Sequence, residues 1–286
     1  MLGAVAGDII GSVYEFTEQK RYDFELFTKG SRFTDDSVMT IAIAHWLVLY
    51  DKEELSHEHL IKCMQMFGRK YPFAGYGSSF NSWLWSEHPL PYNSWGNGAA
   101  MRVSPVGLYA DTLDEVLELA KRTAEVSHNH PEGVRGAQAV AVAVWMAKHG
   151  YTKEEIKDYI TKKFKYDLER TVDEIRHTYQ WEVSCQGSVP ESIICFLEGR
   201  NFEEVVRLAI SLGGDADTMA CIAGSIAACM YPIPESIVKR CESLLTQELC
   251  DIMKIFELYL EVRPSLEMLD ELNTSLEYAG RLLNQL

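Results

Sequence analysis

Pairing is what the cysteines lack. No two of the seven are separated by two residues, and their spacing from Cys63 to Cys250 follows no repeat, which excludes a zinc ribbon and argues against a disulfide framework. They read as reduced thiols filling a core. Basic charge is short as well: 27 lysines and arginines stand against 42 aspartates and glutamates, a formal charge of −15. Such a surface argues against a nucleic-acid partner and suits a cation better. Long apolar runs are missing too. The longest, AVAVAVWMA at 139–147, is far below the ~20 residues of a membrane span, and MLGAVAGDIIGSVYEF at the N-terminus has no basic stretch and meets Asp8 early. These features predict a soluble, cytoplasmic protein with no membrane partner.

Strand signals are nearly absent, and what remains is helical. TLDEVLELAKRTAEV opens with Thr112 and Glu115 at the spacing of a capping box, YTKEEIKDYITKKF repeats the device with Thr152 and Glu155, and NFEEVVRLAISL begins with Asn201 as a cap. The alternation in PEGVRGAQAVAVAVWMAKHG imitates a strand, but the stretch runs too long for one and ends at Gly150, which predicts a buried helix. Breaks are expected around 71–98, rich in Gly, Pro, Ser and aromatics, and around 184–190. No repeat or linker divides the chain, so residues 1–286 are expected to form one all-α domain with two long loops, its last 50 residues being outer helices.

Two acidic clusters stand out. SLGGDADTMACIAG places Asp215 and Asp217 between a glycine pair and a small-residue run, and RFTDDSVMT places Thr34, Asp35 and Asp36 before an apolar helix. Either alone reads as a helix cap. Together they offer four carboxylates and two threonines at the mouths of buried helices, and hard oxygens of this kind suit Mg²⁺, Mn²⁺ or Ca²⁺ rather than zinc. An EF-hand is excluded, since its third ligand would be Met219 and its glycine Ala220. DADT also resembles a phosphatase nucleophile motif, but that motif ends a strand and a helical pattern precedes this one.

GDIIGSVYEF, RFTDDSVMT, SWGNGAAMR, SHNHP and SLGGDADT, in this order along nearly the whole chain, resemble the ADP-ribosylglycohydrolase family, which includes the dinitrogenase-reductase-activating glycohydrolases. The resemblance implies a compact multi-helix orthogonal bundle with two Mg²⁺ (or Mn²⁺) ions and cleavage of the bond between ADP-ribose and a modified protein side chain or small acceptor. It implies Thr34, Asp35, Asp36, Asp215, Asp217 and Thr218 as metal ligands, with Glu15 and Asp36 catalytic. Gly96, Asn97, Gly98 and Ala99 match its ligand-binding loop, where glycines let backbone amides approach a diphosphate. His128 matches a histidine that contacts ADP-ribose. Of the other residues, Arg102 reads as an anchor of the loop, His130 as a local cap or structural hydrogen bond, and Asp8, left out of the site, as a buried polar contact or a group supporting the ligands from behind; Tyr76, Phe80 and Trp83 either stack an adenine or cover the core, the core being favoured. A non-catalytic ADP-ribose-binding module and a magnesium-dependent phosphohydrolase are the alternatives. No motif marks the acceptor.

Overall fold

The computed structural model describes residues 1–50 and 55–262, and among them it forms helices and no strand. The first six helices are α1 (Leu2–Gly11), α2 (Asp35–Leu49), α3 (His57–Lys70), α4 (Ser78–Trp85), α5 (Gly98–Met101) and α6 (Ser104–Tyr109). There follow α7 (Leu113–Glu125), α8 (Pro131–Lys148), α9 (Lys153–Phe164), α10 (Val172–Arg176) and α11 (Cys185–Glu198). The last are α12 (Phe202–Ile210), α13 (Ala216–Ala227), α14 (Glu235–Leu244) and α15 (Gln247–Val262). None is long and apolar enough to cross a membrane among the described residues.

Caps explain most of the starts. Thr152 and Glu155 form a complete capping box on α9, and Asn201 accepts from Glu204 N on α12. Thr112 accepts from Glu115 N, while the Glu115 carboxylate accepts from Asp111 N, one residue earlier than a box requires. The alternating AVAVAV is buried in α8, as its length predicted, and Gly150 beyond its end adopts φ +79°.

Two predicted breaks are corrected. The 71–98 region contains α4, on which Phe80 and Trp83 are buried; Trp83 Nε1 donates to Val126 O at 2.9 Å. Residues 184–190 are not a loop: Ser184 caps α11 and Pro190 lies inside it. The irregular stretch is the one before, 177–184. The cap outweighed a glycine and a proline that read as breakers. At the C-terminus, α14 packs against α1 and α15 against α2, as outer helices should; residues 263–286, part of the same expectation, lie outside the described residues.

The contact that builds the site is α1 on α13. Gly3, Gly7 and Gly11 present a bare backbone to α13, and a Cβ at Gly7 would lie 2.0 Å from Ala220 O. Close approach of the two backbones brings the end of α1 beside the start of α13.

Candidate active site

Asp8 organises the first half of the site. One of its carboxylate oxygens accepts from Thr34 N (2.9 Å), Ser37 N (3.1 Å) and the Ser37 hydroxyl, and the other from Thr34 Oγ1 at 2.6 Å. The carboxylate thus satisfies orphan amides at the start of α2. Thr34 caps the same helix through Asp36 N. Its hydroxyl faces Asp8, and Thr34 does not line the cleft described below.

Asp36 and the start of α13 form the second half. Thr218 Oγ1 donates to Asp36 Oδ2 at 3.2 Å, whereas Asp36 Oδ1 is buried with no partner. Asp215 occupies the cap position of α13 but makes no cap hydrogen bond; its Oδ2 accepts from Asn97 Nδ2 at 2.7 Å. A residue there only to cap would not do this. One carboxylate oxygen each from Asp8, Asp36 and Asp217 lie within 4.8 Å of one another, and so do those of Glu15, Asp215 and Asp217. Asp217 joins the two groups, and Asp35 opens onto the same cleft.

Burial raises every one of these carboxyls. It pushes Asp8 up, pushes Asp35, Asp36 and Asp217 well above the ordinary range, with neighbouring carboxylates adding to the last three, and brings Asp215 to about 6. Glu15, on the turn after α1, rises to about 8 through burial and the Asp217 charge. Among the described residues no ion pair engages any of them. Buried like charges without a cation are unfavourable. The partnerless Asp36 oxygen and the hard donors around it fit a divalent cation of the Mg²⁺ or Mn²⁺ kind.

All of these carboxylates except Asp8 line a cleft of about 590 Å³ that is also lined by Gly96, Asn97, Gly98, Phe80, Tyr92, Arg102 and His128 and by the exposed aromatics Phe16, Trp95 and Trp181. Of the residues singled out in the sequence, Glu15, Asp35, Asp36, Gly96, Asn97, Gly98, His128, Asp215, Asp217 and Thr218 all line it; Thr34 and Ala99 do not. The 94–98 loop is held by the segment before α11: Asn97 N donates to Val183 O (2.8 Å) and Cys185 N to Trp95 O (2.8 Å). His130 is the cap it was read as, its Nδ1 accepting from Glu132 N at 3.1 Å. Arg102 is fully buried beneath the loop and also reaches the cleft.

Sequence reasoning missed two things. Asp8 is the buried polar contact it was read as, but it also belongs to a carboxylate group from which it had been left out, and the available signal was an acid inside the small-residue helix GAVAGDIIG. The Phe16–Trp181 stack, with centroids 5.0 Å apart, links the Glu15 turn to the 177–184 segment and had no signal in either stretch.

Comparison with known proteins agrees with the order of the motifs. The ADP-ribosylglycohydrolase family model matches residues 1–265. An uncharacterised protein of Archaeoglobus fulgidus is 30% identical over 58% of this chain and 59% of its own length. Human ADP-ribosylhydrolase ARH3 is 26% identical, covering 85% of this chain and 88% of its own. The ADP-ribosylarginine hydrolase Tri1 of Pseudomonas putida is 24% identical over 88% and 76%. A solved structure described as an ADP-ribosylglycohydrolase-related protein complex shares the fold, with a TM-score of 0.66 at 23% identity over 85% of this chain and 93% of that one. The motif order, the helical architecture and the match over residues 1–265 have one conclusion: the chain belongs to the ADP-ribosylglycohydrolase family.

Proposed function

We infer that this protein is a metal-dependent hydrolase that cleaves the glycosidic bond between ADP-ribose and a modified acceptor, releasing ADP-ribose and the free acceptor. The observation that carries the reading is the buried carboxylate cluster with its partnerless Asp36 oxygen, set in one cleft with the Gly96–Gly98 loop. The names of the relatives, an ADP-ribosylhydrolase and an ADP-ribosylarginine hydrolase, support the bond class.

Asp35, Asp36, Asp215, Asp217 and Thr218, with Thr34 behind them, are assigned to hold two Mg²⁺ or Mn²⁺ ions. Ions held there would neutralise the cluster and supply Lewis-acid chemistry toward the ribose hydroxyls and a water. The remaining steps belong to the chain. Bond cleavage builds positive charge at the anomeric carbon, and the carboxylates of this end of the cleft stabilise it. Glu15 orients the attacking water and takes its proton, with Asp36 holding the reacting groups against it. The water's hydroxyl goes to the anomeric carbon and a proton to the acceptor. Gly96, Asn97 and Gly98 bring the backbone of their loop up to the diphosphate, with Ala99 buried behind them, and His128 contacts the same ligand.

The test is a panel of arginine-linked, serine-linked and small-molecule ADP-ribosylated substrates, scored for free ADP-ribose. Release of phosphate or AMP in its place returns the phosphohydrolase alternative. Tight ADP-ribose binding with no release from any substrate returns the binding module.

A further inference from the structure

His128 has two ring nitrogens, and its surroundings decide which carries the proton. Arg102, fully buried after α5, donates through Nη2 to Thr123 O (2.7 Å) and Ser127 Oγ (2.8 Å). A guanidinium has no acceptor, so the serine oxygen accepts there. Ser127 Oγ lies 2.8 Å from His128 Nδ1, and Ser127 is also fully buried. A hydroxyl has one hydrogen. If Nδ1–H donated to it, the oxygen would accept twice and its own hydrogen would have no acceptor, a buried loss of about 1–3 kcal/mol. The serine therefore donates to Nδ1, and the histidine proton sits on Nε2.

The opposite edge of the ring faces the ligand loop. A Cβ at Gly98 would meet His128 Nε2 at 3.1 Å and one at Gly96 at 3.6 Å, and among the described residues no protein group accepts from Nε2. Tyr92 and Phe80 pack against the ring at centroid distances of 5.5 and 6.3 Å and restrict its rotation. Burial and the nearby Arg102 charge keep the ring neutral by holding its pKa well below the ordinary value.

We propose that Arg102 and Ser127 are positioning residues: through one serine hydroxyl they lock His128 in the Nε2–H tautomer, so that it presents a fixed N–H donor to an oxygen of the ligand over the Gly96–Gly98 loop. The ligand identity rests on the function proposed above; the tautomer does not. Arg102 is buried charge whose removal endangers folding, so Ser127 carries the test. Imidazole proton–nitrogen NMR of the metal-loaded protein, with His128 picked out of eight histidines by comparison with His128→Gln, reads the tautomer directly. The wild type is expected as Nε2–H. Ser127→Ala is expected to release the tautomer and weaken ADP-ribose binding about ten-fold at unchanged metal content, and Ser127→Thr to restore both. A proton on Nδ1 in the wild type overturns the proposal. So does a Ser127→Ala variant that loses thermal stability with the tautomer unmoved, since Ser127 would then only support the fold. Nε2–H in the wild type, released by Ser127→Ala, with no ADP-ribose binding by either protein supports the lock and refutes the function instead.

Discussion

Gly11→Ala separates two opposite effects. In an unobstructed helix the change stabilises by about 0.5–1 kcal/mol, because alanine loses less backbone freedom than glycine. Here the new Cβ would stand 2.5 Å from Asp217 Cα and 2.7 Å from both Ala216 O and Asp217 N. Ordinary carbon contacts begin near 3.5 Å, so α1 must retreat from α13 by about 1 Å. Overpacking of this kind costs about 1–3 kcal/mol. At roughly 2–4 °C per kcal/mol for a chain approaching this size, the net effect is a Tm lower by several degrees rather than slightly higher. The same retreat moves Asp8 and Glu15 away from Asp217, and a misplacement of about 1 Å is worth on the order of a 10²-fold loss of rate. Thermal melting, metal content and ADP-ribose release on this one variant give all three readings. A Tm equal to or above wild type with full activity would refute the claim that the bare glycine face of α1 sets the geometry of the site.

Chelation is expected to lower both activity and Tm, and metal to restore them; a protein shown to be metal-loaded whose Tm ignores EDTA has no such centre. The metal-free protein should also grow less stable from about pH 5 to pH 8. Its site carboxyls have folded pKa values raised above the ordinary ones, to about 6 for Asp215 and about 8 for Glu15, so their favourable protonated contribution is complete at low pH and lost as pH rises through those values. A metal-free Tm that is flat or rising across this window contradicts the carboxylate burial described. Glu15→Gln should cut turnover sharply while ADP-ribose affinity stays within about ten-fold, or ~1.4 kcal/mol; full turnover removes Glu15 from the chemistry.

What could be read in the sequence was what is local. Caps at Thr152 and Asn201, the length of the α8 pattern, and the acids at the starts of α2 and α13 are each written within a few residues. The family motifs then named a site whose parts the fold gathers into one cleft, apart from Thr34 and Ala99. Less legible features depend on packing between distant segments. Asp8 meets Thr34 and Ser37 only because α1 lies against α2, and Ser127 meets Arg102 across α7. The start of α11 was hidden by Gly187 and Pro190, whose breaker character gave way to the Ser184 cap and to burial of Val189 and Ile193.

The central claim, that Asp217 serves a metal-dependent glycosidic cleavage and not merely the start of a helix, is tested most directly by Asp217→Asn. Asp217 stands in the first turn of α13, behind the Asp215 cap position, and asparagine keeps the side-chain oxygen that accepts from Thr218 N at 3.0 Å, so the helix should survive within ~1 kcal/mol while the cluster loses a negative charge. The measurement is ADP-ribose release from a substrate the wild type cleaves, with bound metal counted in the same samples. A folded variant that has lost at least one metal ion and most of its release rate is the predicted result; full metal content with the wild-type rate would contradict the account.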